Sequence, residues 1–334
     1  MEKKNKYIIM RRKLILLVIF KITLSSCEQK ISIKKAAFTA INPLAYTDVV
    51  YISNKDTVLV STFDGRIAQR IHGKEKETLV LQIPDEIYSL AYDSITHRIY
   101  ASTLNSGIFI IDAKNKAIID RLTLEKTWIS NIFLSTDGNI LAGRSADRKN
   151  HIWNLKNDQA LITLPDSLST YRITGISKNS SIILKGKGTY LFWHPLKNLI
   201  EKEVKINGNL AAIDASNNML LINDTNFQYY NAAIDSTSPK KQHEDWPYYV
   251  KEQDTTLRIP LQLALTVGEL TEEYIFTAGI DRSIRKWNKT NGQHLEDIIK
   301  HKATISAMDI APDASQLVSV DLKGGILFYE IHKN

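Results

Sequence analysis

The sequence predicts an all-β fold, a seven-bladed β-propeller, and three observations carry that prediction. The first is a recurring pattern: an apolar run, a tight turn and another apolar run, followed by an anchor residue at the end of a third strand. NIFLSTDGNILAG (131–143), AIDASNNMLLIND (212–224) and AMDIAPDASQLVSV (307–320) are examples. The second is the period. The anchors are Arg70, Ile111, Trp153, Trp193, Tyr230, Trp287 and Tyr329, spaced 41, 42, 40, 37, 57 and 42 residues apart. Propeller blades repeat every ~40–45 residues, so five of the six spacings fall near one period. The third is length. The chain has 334 residues, and seven such repeats leave no room for a second domain.

The clearest repeat is TAGIDRSIRKWN (277–288), a strand, a turn and a strand with Asp281 six residues before Trp287. Asp in a tight turn bonds neighbouring backbone N–H groups. Trp packs its ring while still offering an N–H. Asp-x-x-Ile-x-x-Trp-Asn resembles the WD40 repeat, with Asn288 where Asp is usual. The resemblance extends loosely over the whole chain after the leader.

Taken in order, blade one spans 49–71 and is degenerate, with Arg70 at the aromatic position. Blade two (89–124) resembles the related YVTN repeat, whose third strand ends in Ile-Asp, here Ile111 and Asp112. Blade three ends at HIWNL (151–155), with Asp147 six residues before Trp153. Blade four ends at YLFWHP (190–195), and Gly186 and Gly188 supply its hairpin turn. Blade five ends at NFQYYN (226–231), with Asp224 six before Tyr230. The 57-residue spacing follows, and the repeat does not account for 231–256. In blade seven, His301, Ser319 and Asp321 resemble the His-Ser-Asp-Trp tetrad of WD40 blades, with Tyr329 in the Trp position. The resemblance makes His301 structural, since a His without a base or nucleophile partner carries no mechanism. The last blade reads as three strands, so the segment ISIKKAAFTA (31–40) is expected to supply the fourth, closing the ring and removing an exposed edge.

Residues 1–26 carry seven Lys/Arg and one acid, leaving the rest of the chain only +1 of the total +7. A nearly neutral body does not advertise a nucleic-acid face. From Met10 the leader has a basic start, a short apolar run (14–20) and small residues before Cys27, the layout of a secretory signal. Leu24-Ser25-Ser26-Cys27 resembles the bacterial lipobox, which implies a signal peptide over 1–26, acylation of Cys27 and a tether over 27–32. Cys27 is the single cysteine of the chain. A lipid would hold the protein on a membrane of the cell envelope without spanning it.

Catalytic signatures are scarce. There is no glycine-rich phosphate loop after a strand and no Gly-x-Ser-x-Gly elbow. His243, Glu244 and Asp245 are adjacent, and sequence neighbours seldom converge on one metal, so they read as solvated loop. Asp64, Asp147, Asp224, Asp281 and Asp321 read as turn residues. Asp-Ser/Thr pairs at Asp56, Asp93, Asp166, Asp235 and Asp254 resemble an O-glycosylation signal of exported bacterial proteins, and are equally ordinary turn pairs. No catalytic, cofactor or metal set is assigned. The expectation is a monomeric, membrane-tethered protein-binding scaffold. The alternative is a YVTN or lactonase-type enzyme or small-ligand sensor using the central channel. Trp246, Tyr248 and Tyr249 are the candidate contact residues, either a lid folded onto blades five and six or a partner-facing patch. By the resemblance, the insertion is expected on the face opposite the His-bearing loops.

Overall fold

The computed structural model describes residues 44–332 apart from Asn54. Cys27, the leader, the tether and the expected closing strand (31–40) lie outside the described residues. Among the described residues, seven antiparallel blade sheets follow one another along the chain, strands pairing with sequence neighbours except in a divided outer strand of the fifth, and a separate two-stranded sheet stands between the fifth and sixth. Blades one to four are Tyr46–Tyr51 to Thr78–Gln82, Ile87–Asp93 to Ala117–Leu122, Ile129–Leu134 to Ala160–Leu161, and Arg172–Ile176 to Leu199–Val204. Blade five begins at Asn209–Ile213, blade six at Leu265–Leu270 and blade seven at Ile305–Ile310. This is a seven-bladed β-propeller.

All seven anchors fall on third strands, and each faces an apolar residue of the second strand. Examples are Val58 opposite Arg70, Ile99 opposite Ile111, Leu141 opposite Trp153 and Ile275 opposite Trp287. The repeat is therefore a register: the anchor fills the same place in every sheet, whatever its chemistry. Alternation turns one face of each sheet toward each neighbouring blade. Seven apolar clusters result, one between each adjacent pair of blades.

The inner strands share a second device. Each pairs irregularly with its second strand near its start, as between Tyr46 and Asp48 or Leu265 and Val267. Such bulges increase twist and re-aim side chains. Here they turn polar groups toward the next blade. Thr266 Oγ1 donates to the Ile305 carbonyl at 2.7 Å, and Ser306 Oγ to the Tyr46 carbonyl at 2.7 Å.

The ring closes where blade seven meets blade one. Tyr46, Val49, Tyr51, Val58 and Val60 pack against Ala307, Ala311, Val318 and Val320. The Tyr51 hydroxyl donates to Gln316 Oε1 at 3.0 Å and the Tyr51 N–H to Asp309 at 2.7 Å. Face-to-face burial thus joins the two ends. Among the described residues, blade seven has three strands, Ile305–Ile310, Gln316–Asp321 and Ile326–Glu330.

Candidate functional site

The span 231–256 divides differently from the sequence reading. Ser236–Thr237 and Lys241–Gln242 both pair with the third strand of blade five, so they form its outer strand in two pieces. The true addition is a β-hairpin, Trp246–Val250 with Thr255–Ile259, placed before the inner strand of blade six.

His243, read as solvated loop, is buried at the centre of blade six. Its Nδ1 lies 2.6 Å from Asp281 Oδ2 and its Nε2 2.8 Å from Thr277 Oγ1. The Trp287 Nε1–H donates to the same Thr277 oxygen at 2.9 Å. The donors run in one direction: Trp287 to Thr277, Thr277 to His243, His243 to Asp281. A neutral imidazole with its proton on Nδ1 completes this chain. Burial holds the His243 pKa down, against the pull of Asp281. Burial also pushes the Asp281 carboxyl up, but bonds from His243 and Ser283 outweigh it and keep it below the usual range. This is a complete tetrad, with Asp281 and Trp287 at its two ends. One signal could have exposed it. His243 stands 44 residues before Trp287, whereas His301 stands 28 before Tyr329, and the hairpin accounts for the difference.

Blade seven repeats three of the four residues and two of the three contacts. His301 lies 3.0 Å from Asp321 and 2.7 Å from Ser319. Tyr329 does not close the set. Its hydroxyl reaches outward to Glu296 of blade six at 2.5 Å.

The hairpin lies on the same face as the His-bearing loops, not the opposite one. It leaves His243 directly and ends in contact with second-to-third-strand turns. The Leu265 N–H bonds the Asp224 carbonyl at 2.9 Å, and the Ile280 N–H bonds the Ala264 carbonyl at 3.0 Å. Gly279 permits this approach, since a Cβ there would meet the Ala264 oxygen at 2.2 Å. The reason is topological. The expected link joins third to fourth strand, whereas this segment joins one blade to the next.

Charge fixes the base of the hairpin. Arg285, buried in blade six, reaches Asp245 at 2.8 Å and Asp297 at 3.4 Å. Arg258 of the hairpin reaches Asp297 at 2.6 Å. Directly opposed residues share a face, so Pro247 and Arg258 mark the seated side, while Trp246, Tyr248, Leu257 and Ile259 share the other. Trp246 is half-buried beneath the Arg282 guanidinium, 5.7 Å from its ring centre, and stacks edgewise on Tyr248. Tyr248, Tyr249 and Leu257 are 41%, 49% and 49% exposed. The two Tyr rings therefore do not form a lid over blades five and six.

The fold is that of a WD40 propeller. A solved structure similar to this chain is the WD40 β-propeller domain of Doa1, with a TM-score of 0.65 at 13% identity. The match covers 86% of this chain and 94% of that one. No family model matches the chain, and no curated protein matches it.

The central channel of this propeller holds groups that the sequence did not bring together. Asp48, Glu269 and Asp309 stand on the inner strands of blades one, six and seven. Asp48 accepts from the Leu90 N–H at 2.7 Å and from Ser89 Oγ. Asp309 accepts from the Tyr51 and Ile310 N–H groups. Asp48 and Asp309 thus tie their strands to the next blade. Burial pushes Asp48 up to about 6 and Asp309 up to about 7. Burial and then the Asp309 charge hold Glu269 well above its usual value. Among the described residues, no group of three His, Cys, Asp or Glu side chains is placed to hold a metal ion. No helix there is long and apolar enough to cross a membrane.

A second hollow, about 700 Å³, lies between blades five and six where the outer strand of blade five is broken. Lys289 spans it to Asp214 at 2.7 Å and lies over the Tyr229 ring. Of the Asp-Ser/Thr pairs, Asp93 is buried, while the hydroxyls of Ser94, Ser167, Ser236 and Thr255 sit on exposed residues.

Proposed function

We propose that this protein is a non-enzymatic protein-binding scaffold and that the hairpin carries the contact. The observation behind this is the exposed face of Tyr248 and Leu257, flanked by Trp246 and held to blade six by an ion network that is buried on the blade side. Contiguous exposed apolar surface on a soluble domain marks an interaction site more often than a structural need. Tyr and Trp supply large contact area with few rotatable bonds. The seat matters equally, because a platform fixed by Arg285 and Arg258 loses little further freedom on binding.

A photo-crosslinking residue at Tyr248 should capture one defined protein in intact cells, and the same probe at Lys197 should not. Equal products from both positions, or none from Tyr248, would remove the hairpin from the function.

The tether belongs to the same proposal. The lipobox-like stretch ending at Cys27 supports acylation and a location in the cell envelope. Labelling with a fatty-acid analogue should mark the wild type and leave Cys27→Ser unmarked. Equal label in both would end the lipoprotein reading.

A further inference from the structure

The channel is chemically uneven from end to end. Toward the hairpin face, blades three to five enclose a cavity of about 690 Å³ with Arg144, Arg148, Arg172 and Trp128 in its wall. Arg144 is the penultimate residue of the second strand of blade three, Arg148 lies in the turn after it, and Arg172 opens the inner strand of blade four. Lys185 stands behind Arg172, and both donate to Asn209 Oδ1, at 2.9 and 2.8 Å.

Among the described residues, none of these four cations has a carboxylate within ion-pair distance. Their partners are neutral. Arg144 Nε donates to the Arg148 carbonyl at 3.2 Å, and Lys185 donates to the Gly208 carbonyl as well as to Asn209. Asp147, the acid in the same turn, is taken up by Ser145, Thr127 and Lys149. Glu269 lies in the cavity wall near the far end of its strand.

Burial and the charges of Arg172 and Arg148 depress Arg144, and burial and Arg172 depress Lys185. Like charges gathered without a counter-charge destabilise the fold. Arg172 and Lys185 tie blade four to Asn209 and Gly208 at the start of blade five, but a neutral donor would serve there equally, and Arg144 and Arg148 bond only within their own blade. An anion in the cavity would supply the missing charge. Guanidinium groups present planar donor pairs that match phosphate and carboxylate. Trp128, packed at a tilt against Tyr88 with ring centres 4.3 Å apart, gives the rim a rigid apolar wall. The volume lies within the ~300–1,000 Å³ range of small-molecule sites.

We propose that this end of the channel binds a small polyanion carrying two or more phosphate or carboxylate groups. The site is separate from the hairpin and does not depend on what the hairpin binds.

Calorimetric titration of the purified full chain at low salt tests this, with pyrophosphate and citrate as probes. At least one probe should bind, and the tighter of the two names the charged group. Arg148→Gln should weaken binding about tenfold or more, as loss of a charge-assisted bond implies. The pair Arg144→Gln with Arg172→Gln should abolish it. Arg148 is exposed and, among the described residues, its side chain makes no hydrogen bond, so its variant should fold and, without ligand, melt at or above the wild-type temperature. Failure of both probes to bind at millimolar concentration would overturn the proposal. So would equal binding by wild type and Arg148→Gln, which would place the anion elsewhere.

Discussion

Replacing His243 by Ala tests the reading of blade six most directly. The side chain is 1% exposed and makes two hydrogen bonds inside the sheet. The first is to an ionised carboxylate, worth about 1.5–3 kcal/mol, and the second is neutral, worth about 1 kcal/mol. The variant also leaves a void that the surrounding strands, held by Thr277 and Trp287, fill only in part. The sum is about 3–4 kcal/mol. At roughly 2–4 °C per kcal/mol for a domain of this size, the melting temperature should fall by roughly 6–15 °C. Asp281 would keep Ser283 and a more distant Arg285, 3.8 Å away, so the blade should still form. His301→Ala is the internal comparison. Asp321 keeps backbone donors from Lys302, Lys323 and Gly325, and no Trp depends on Ser319, so its loss should be about half as large. Scanning calorimetry gives both values, and hydrogen exchange should place the His243→Ala loosening in blade six and the hairpin base. A His243→Ala protein melting within about 1 °C of wild type would refute the tetrad and return His243 to solvated loop.

Trp287→Ala should cost about 3–5 kcal/mol, because the ring packs edgewise on Phe227 and fills the blade five–six cluster, whereas Tyr329→Phe should cost under about 1 kcal/mol in the same melts. Tyr248→Ala with Leu257→Ala should leave melting unchanged, since both side chains are about half exposed; a fall of several degrees would mean that they pack in the native state after all. Asp309 sets a pH signature. Its folded-state pKa of about 7 lies above the ordinary carboxylate value, so between roughly pH 4 and 7 the native state binds more protons than the unfolded state. Its contribution is therefore full below about pH 4 and is lost progressively as pH rises through 7. Asp309→Asn should flatten this part of the melting-temperature profile, and a variant profile parallel to wild type from pH 5 to 8 would contradict the assignment.

The sequence by itself determined the repeat and hence the fold. Each blade must bury a second strand between neighbours and end its third strand on a residue that packs, so Trp153, Trp193 and Tyr230 recur at one period, and Trp287 and Tyr329 resume it after the hairpin. Even Arg70 and Ile111 could be aligned, because the register is set by the alternation of the strands around them. His301 was legible because only Lys302 to Thr304 separate it from the inner strand of its blade.

Tertiary structure decided the rest, and for a physical reason in each case. His243 was hidden because its contacts with Thr277 and Asp281 span 34 and 38 residues, across a hairpin that breaks the period. The side of the disc that carries the hairpin depended on which link it occupies, and that followed from the pairing of Lys241–Gln242 with blade five. The channel groups were invisible for the same reason. Arg144 and Arg172, or Asp48 and Asp309, are unrelated in sequence and meet only when seven inner strands converge on one axis. The fold is written in local periodicity, which each blade repeats. The site is written in contacts between blades, which exist only once the ring has closed.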